Sequence, residues 1–187
     1  MPSDATVRAF VSTGDYRGFY QDVAVRVGLA GLATPQGNDV AEYLADGLWI
    51  HGDLGVQSTP EDFETQATAV YSIGGVMYTK AAAVVTAFSA AHVVTAEKFG
   101  CVLIQVDAAG TISTLVGEST QTTAMAYDTA ALAIAALPAP TADNVALGYF
   151  LIEADAGNWT ANTDSMTDDL EAITVVNADV KTLPAEV

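Results

Sequence analysis

The sequence predicts a mainly β protein: an antiparallel β-sandwich or barrel-like body with one short alanine-rich helix, preceded by an extended N-terminal segment. Three observations carry that reading. Apolar and polar residues alternate in short runs punctuated by glycine, which is the period-two signature of half-buried strands. Cys101-Val102-Leu103-Ile104-Gln105-Val106-Asp107 and Thr111-Ile112-Ser113-Thr114-Leu115-Val116 flank Ala108-Ala109-Gly110, where glycine supplies the positive φ that a tight hairpin loop often needs. A single alanine-rich stretch shows helical spacing and stops at Pro138 and Pro140.

Taken in order, Thr6 to Ser12 alternates and Gly14-Asp15 turns the chain. Gln21 to Val27 alternates again, with Val23, Val25 and Val27 on one side. Asn38 or Asp39 caps a short helix through Val40, Tyr43 and Leu44 that Gly47 ends, before the apolar patch Leu48-Trp49-Ile50. Val56-Gln57-Ser58-Thr59-Pro60-Glu61-Asp62 is polar, acidic and contains proline, so the chain divides there into an arm or small docking subdomain, residues 1–60, and a β-rich body, residues 61–187. Val70 to Ile73 and Val76 to Thr79 read as two short strands around Gly74-Gly75, and Ala81 to Phe88 and Ala91 to Ala96 as further strands in preference to buried helix, two readings that periodicity alone does not separate. Tyr127, Ala131, Ile134 and Leu137 mark one face of the helix, whose small-residue side is expected to be exposed. Val145 to Ile152 is apolar on both faces and predicts a central, covered strand that exits at Glu153 and Asp155. Residues 155–162 form a loop by composition, Ala172 to Asn177 a last β segment, and the tail from Asp179 is expected to be loose.

Composition bounds the function. The chain has 187 residues, 51% of them hydrophobic, enough to bury roughly 70% of its unfolded surface without disulfides or metals. Its one cysteine, Cys101, sits in an apolar strand and reads as a small buried hydrophobe. Against 23 Asp and Glu stand 6 Lys and Arg, for a formal charge of -17. Arg8, Arg17, Arg26, Lys80, Lys98 and Lys181 are scattered, which disfavours nucleic acid and anionic membrane as partners. The charge favours solubility and repulsion between particles. Met1-Pro2-Ser3-Asp4-Ala5-Thr6 has neither a basic region nor an apolar core, so no secretory signal is expected, and no stretch approaches the length of a membrane helix.

Chemistry-bearing motifs are scarce, and the sequence nominates no catalytic, cofactor-binding or metal-binding residue. His51, near Asp53, and His92, near Glu97, are the histidines, and neither has ligand or nucleophile spacing around it. Glu61-Asp62-Phe63-Glu64 and Asp168-Asp169-Leu170-Glu171 lack the alternating Asp loop of a calcium site and read as solvated acidic faces. Gly28-Leu29-Ala30-Gly31 lacks the lysine and helix of a phosphate loop. Asn158-Trp159-Thr160 matches a glycosylation sequon but reads as a turn. Tyr16, Phe19, Tyr20, Trp49 and Trp159 read as packing or subunit anchors before sugar platforms. A non-enzymatic, structural or interaction role is the expectation.

One resemblance sharpens that. Phe88-Ser89-Ala90-Ala91-His92 through Cys101 to Ile112, then an alanine-rich segment, Leu137-Pro138-Ala139-Pro140, and Val145-Ala146-Leu147-Gly148-Tyr149 resemble a module recurring in virion structural proteins of tailed bacteriophages. There the order is a strand ending in Gln-Ile-Asp-Ala-Ala-Gly or similar, a hairpin, a helix ending in prolines, and a Leu-Gly-Tyr strand. The likeness covers about residues 66–170 and carries no catalytic residues. It implies a subunit made in the host cytoplasm and displayed on a virion, such as a homo-oligomeric capsid decoration or head-associated protein whose partners are capsid or other virion proteins. The other role it allows is a tail-associated receptor-binding or fibre protein in which aromatics such as Trp159 contact host-surface glycans.

Overall fold

The computed structural model describes residues 46–57, 62–117 and 124–181. The strands expected near Thr6 and Gln21, the helix capped by Asn38 or Asp39, and most of the N-terminal arm lie outside them. In chain order the elements are β1 (Gly47–Ile50), β2 (Leu54–Val56), β3 (Phe63–Thr65), β4 (Ala69–Ile73), β5 (Val76–Lys80), β6 (Val84–Thr86) and β7 (Val93–Val94). There follow β8 (Phe99–Asp107), β9 (Ile112–Val116), α1 (Ala130–Ala135), β10 (Asn144–Ala154), β11 (Trp159–Thr160) and β12 (Leu170–Asn177). The fold is mainly β, in antiparallel sheets that do not close into a barrel.

The largest sheet has the order β12-β10-β8-β9, and two three-stranded sheets, β1-β4-β5 and β2-β3-β6, pack against it. Its inner face is set by alternation, interrupted in β10 by an irregularity between Ala146 and Gly148 that shifts the phase: Val102, Ile104 and Val106 of β8, Ile112 and Val116 of β9, and Val145, Leu147, Phe150 and Ile152 of β10 are all buried. The facing residues are Leu48, Leu54, Phe63, Tyr71 and Ile73. Removing this much apolar surface from water at about 25 cal/mol per Å² is the main force joining the layers.

The turns follow their residues. Gly74 and Gly75 both have positive φ, 57° and 78°, as a two-residue hairpin loop twisting with its strands requires. Between β8 and β9, Asp107 Oδ1 accepts from the amides of Ala109 and Thr111 at 2.9 and 2.8 Å, and Gly110 takes φ 79°. The hairpin and the strand β10, both expected, are where the pattern placed them, and β10 is central. Its inner face is fully buried, whereas Tyr149, Leu151 and Glu153 on the other face are half-buried, because α1 covers only part of that side.

Four expectations need correction. The stretch after Val56 does not separate two units: Val56 pairs with Phe63, the Gln57 amide donates to the Asp62 carbonyl at 3.2 Å, and β1 and β2 belong to the same core as the rest. Polar, proline-containing composition marks a hairpin connection as readily as a linker. The helix shows the opposite face from that expected: Ala133 is buried while Leu132 and Ile134 are 54% and 39% exposed. Its close seat on the sheet admits only a small side chain, and Gly117 beside it has no room for a Cβ under the Ala136 carbonyl. Residues 155–162 contain a short strand, β11, paired with β7. Finally, the start of the tail is fixed, since the Lys181 amide donates to the Leu48 carbonyl at 2.6 Å and Ala178 and Val180 pack on the core.

At Gly148, φ is 155° and an added Cβ would run into the Val176 carbonyl oxygen and lie 2.9 Å from Leu54. A Gly148→Ala substitution therefore combines strain with overpacking and is expected to cost about 2–4 kcal/mol. Urea unfolding followed by tryptophan fluorescence checks it.

Candidate functional site

The position richest in chemically capable groups is the junction of β7, β9 and β11. Asn162 clamps the chain there, accepting from the Phe88 amide at 2.8 Å and donating to the Phe88 carbonyl at 2.9 Å, while Asn158 accepts from the Ala96 amide. Asn162 has φ 62°, a conformation asparagine tolerates better than most residues. The clamp brings Phe88, His92 and Trp159 together: Phe88 meets the Trp159 ring edge-on at 5.8 Å between centroids and the His92 ring at 6.3 Å.

His92 Nε2 lies 2.8 Å from the Thr114 hydroxyl, which also accepts from the Ser89 amide at 3.0 Å. The Thr114 amide donates in return to Ser89 Oγ at 2.9 Å. A hydroxyl beside an imidazole is the beginning of a nucleophile–base pair. Here it serves structure. His92 and Thr114 are each 1% exposed, so no substrate reaches either, and His92 Nδ1 meets no carboxylate to orient it. An imidazolium would need an acceptor at both nitrogens and finds one, so burial pushes its pKa below the ordinary value of 6.5. His92 and Thr114 are 22 residues apart, and no sequence spacing signals the pair.

The other expected residues are dispersed. His51 is half-buried with Nδ1 unpartnered, and Asp53, though close in sequence, is exposed at a turn with φ 45° where its carbonyl accepts from the Gln66 amide. Glu97, expected near His92, also turns the chain, with φ 57°. Cys101 is buried on the helix side of β8, and burial pushes its thiol up to about 12. The acidic runs work locally. Glu64 accepts from the Gln57 side-chain amide at 2.6 Å, while Asp169, and Asp164 just ahead of the second run, accept from the backbone amides of Ser165 and Thr160 in place of a backbone acceptor. Among the described residues no group of three His, Cys, Asp or Glu is placed to hold a metal ion. Gly28 to Gly31, Tyr16, Phe19, Tyr20 and Glu61 lie outside the described residues.

Trp159 packs, as the first of its two expected roles had it, and only the alternative of a glycan contact is overturned. It is 0% exposed, paired in β11 and enclosed by aromatics, so it is a core residue and offers sugars no platform. Trp49 is 8% exposed, with Nε1 donating to Ser72 Oγ at 2.9 Å and Lys181 above its ring. Neighbouring Gly157 and Asn158 gave Trp159 the composition of a loop, while pairing with β7 put it inside. Among the described residues, no helix is long and apolar enough to cross a membrane.

No family model, curated protein or solved structure matches the chain.

Two predictions follow from burial. The unfolded state protonates His92 near 6.5 and the folded state only at lower pH, so stability from this group is complete above about pH 6.5 and declines as pH falls below it. Thermal unfolding between pH 7.5 and 5.5 should show that decline in the parent and a flatter profile in His92→Gln. Cys101 should react with a thiol reagent at pH 8 at least ~100-fold more slowly in the folded protein than in denaturant, because so little of it is thiolate.

Proposed function

We propose that this chain is a virion structural subunit, a capsid decoration or head-associated protein displayed as a homo-oligomer on the particle surface. The observation that carries the reading is the order of elements in the segment that resembles the tailed-phage module. Cys101 to Val116 forms the hairpin β8–β9, α1 follows and runs into Pro138 and Pro140, and Leu147-Gly148-Tyr149 lies in the central strand β10. The segment resembling a virion module is thus the organising sheet of the fold and not a peripheral insertion.

Two physical features support the same reading. The side chains of His92, Cys101, Trp49 and Trp159 are spent on the interior, which leaves the surface to carry the function. That surface is acidic: with a formal charge of -17, adjacent particles repel one another and phosphate-bearing partners are disfavoured. Among the described residues the ion pair Lys98–Asp128, at 2.6 Å, is exposed and contributes little to stability.

The test is location. Mass spectrometry of purified particles from the infected host should find the chain at a fixed ratio to the major capsid protein, and antibody against it should label intact particles. A chain absent from purified particles contradicts the proposal. Deleting residues 1–45, which leaves every described strand in place, should abolish incorporation if those residues dock the body; undiminished incorporation contradicts docking through them.

A further inference from the structure

We infer that two copies of this chain associate through β12, pairing antiparallel about a two-fold axis at Thr174 to continue the four-stranded sheet into an eight-stranded one. The inference stands apart from the virion reading, since it concerns the purified chain alone.

β12 is the longest strand that ends a sheet, eight residues, and among the described residues no strand lies on the side away from β10. The other long-sheet edge is closed: the outward Thr114 amide of β9 is taken by Ser89 Oγ. β1 is covered in part by Lys181, whose amide meets the Leu48 carbonyl. Open edges of soluble proteins are ordinarily short, bulged or guarded by inward charges, particularly lysine. β12 is irregular only at Glu171, where its register with β10 shifts, and has none of these guards along its centre, where Ala172-Ile173-Thr174-Val175-Val176-Asn177 is uncharged in a chain of -17.

The side chains point the same way. Ile173 and Val175 face the core opposite Ile152 and Phe150, which are 0% exposed, yet they are themselves only partly buried. The hydrophobic layer is unfinished along this edge and nowhere else in the sheet so long. A second β12, antiparallel with Thr174 opposite Thr174, sets Ile173 of one copy against Val175 of the other on the core side. It also sets Glu171 against Asn177, so no carboxylates face one another within the paired segment. Threonine pairs across antiparallel strands are favourable, and the two Cβ atoms at such a position lie about 4.5–5.5 Å apart. The occupant is a second copy because this register buries the apolar edge residues and separates the charges at once. Asp169 and Asp179 come opposite one another just outside the pair, so their repulsion, and that of two acidic bodies, weakens with salt.

Sedimentation of the full-length chain should show a dimer whose population rises with ionic strength. In Thr174→Cys, mild oxidation should give a disulfide-linked dimer, while the parent, whose cysteine is the buried Cys101, gives none. Thr174→Lys places two cations face to face and should raise the dimer dissociation constant at least ~10-fold with the circular dichroism unchanged. A chain that stays monomeric at all salt concentrations overturns the inference. So does an oligomer that Thr174→Lys leaves intact and Thr174→Cys does not cross-link, since a different surface or another segment of the same chain would then occupy the edge.

Discussion

Contact among Phe63, Phe88, Phe150 and Trp159 holds this structure together. The four rings come from β3, the segment before β7, β10 and β11, so they draw on three different sheets. Phe63 meets Phe88 edge-on at 5.1 Å and Phe150 at 5.5 Å, and Phe88 reaches Phe150 at 6.2 Å. Such geometries add about 0.5–1.5 kcal/mol per pair beyond the area they bury. The rings also fix where the short elements go. A two-strand pairing such as β7 with β11 is marginal alone and persists because Trp159 is anchored in this cluster.

Polar clamps then orient what the aromatics hold. Asn162 ties residues 88 and 162, the Ser89–Thr114–His92 network ties that segment to β9, and the Tyr71 hydroxyl donates to the Asp107 carbonyl at 2.9 Å. Burial, aided by the nearby Asp107 charge, pushes the Tyr71 phenol up to about 12. Lys80 Nζ reaches the Gly110 carbonyl at 2.7 Å, so the β4–β5 hairpin grips the β8–β9 turn with both a hydroxyl and an ammonium. On the far side, Gln105 donates to Ser113 and Thr141 and accepts from the Thr141 amide, holding the chain after the prolines against the sheet. These contacts place polar chemistry inside the protein in a structural capacity. Function on this reading belongs to surfaces and edges, in keeping with the proposed role as a particle subunit.

The sequence was most legible where local pattern and tertiary demand agree. Val102, Ile104 and Val106 alternate because one face of β8 meets the core, and Gly110 takes the positive φ that its turn needs. The glycines at 74 and 75 announce their hairpin for the same reason. Legibility failed where a tertiary contact decided the outcome. Nothing local to Trp159 distinguishes a wet loop from a strand that β7 draws inward. In α1, six residues are too few for a periodic stripe, and the seat on β8 selects Ala133 over the larger Leu132 and Ile134. The Val56–Asp62 stretch has the composition of a linker, and only the pairing of Val56 with Phe63 shows it to be a hairpin connection. As for the candidate site, both histidines could be named from the sequence, but their roles depend on partners such as Thr114 that lie far along the chain.

If the aromatic cluster unites the three sheets, the body opens as one unit. Native-state hydrogen exchange measures this directly, residue by residue. The account predicts that the most protected amides of β3, β8 and β10 exchange with one common free energy, equal to that of global unfolding. Exchange of the β2-β3-β6 sheet at a distinctly lower free energy than the β8–β10 pair would show that the layers are stable separately, and would contradict it.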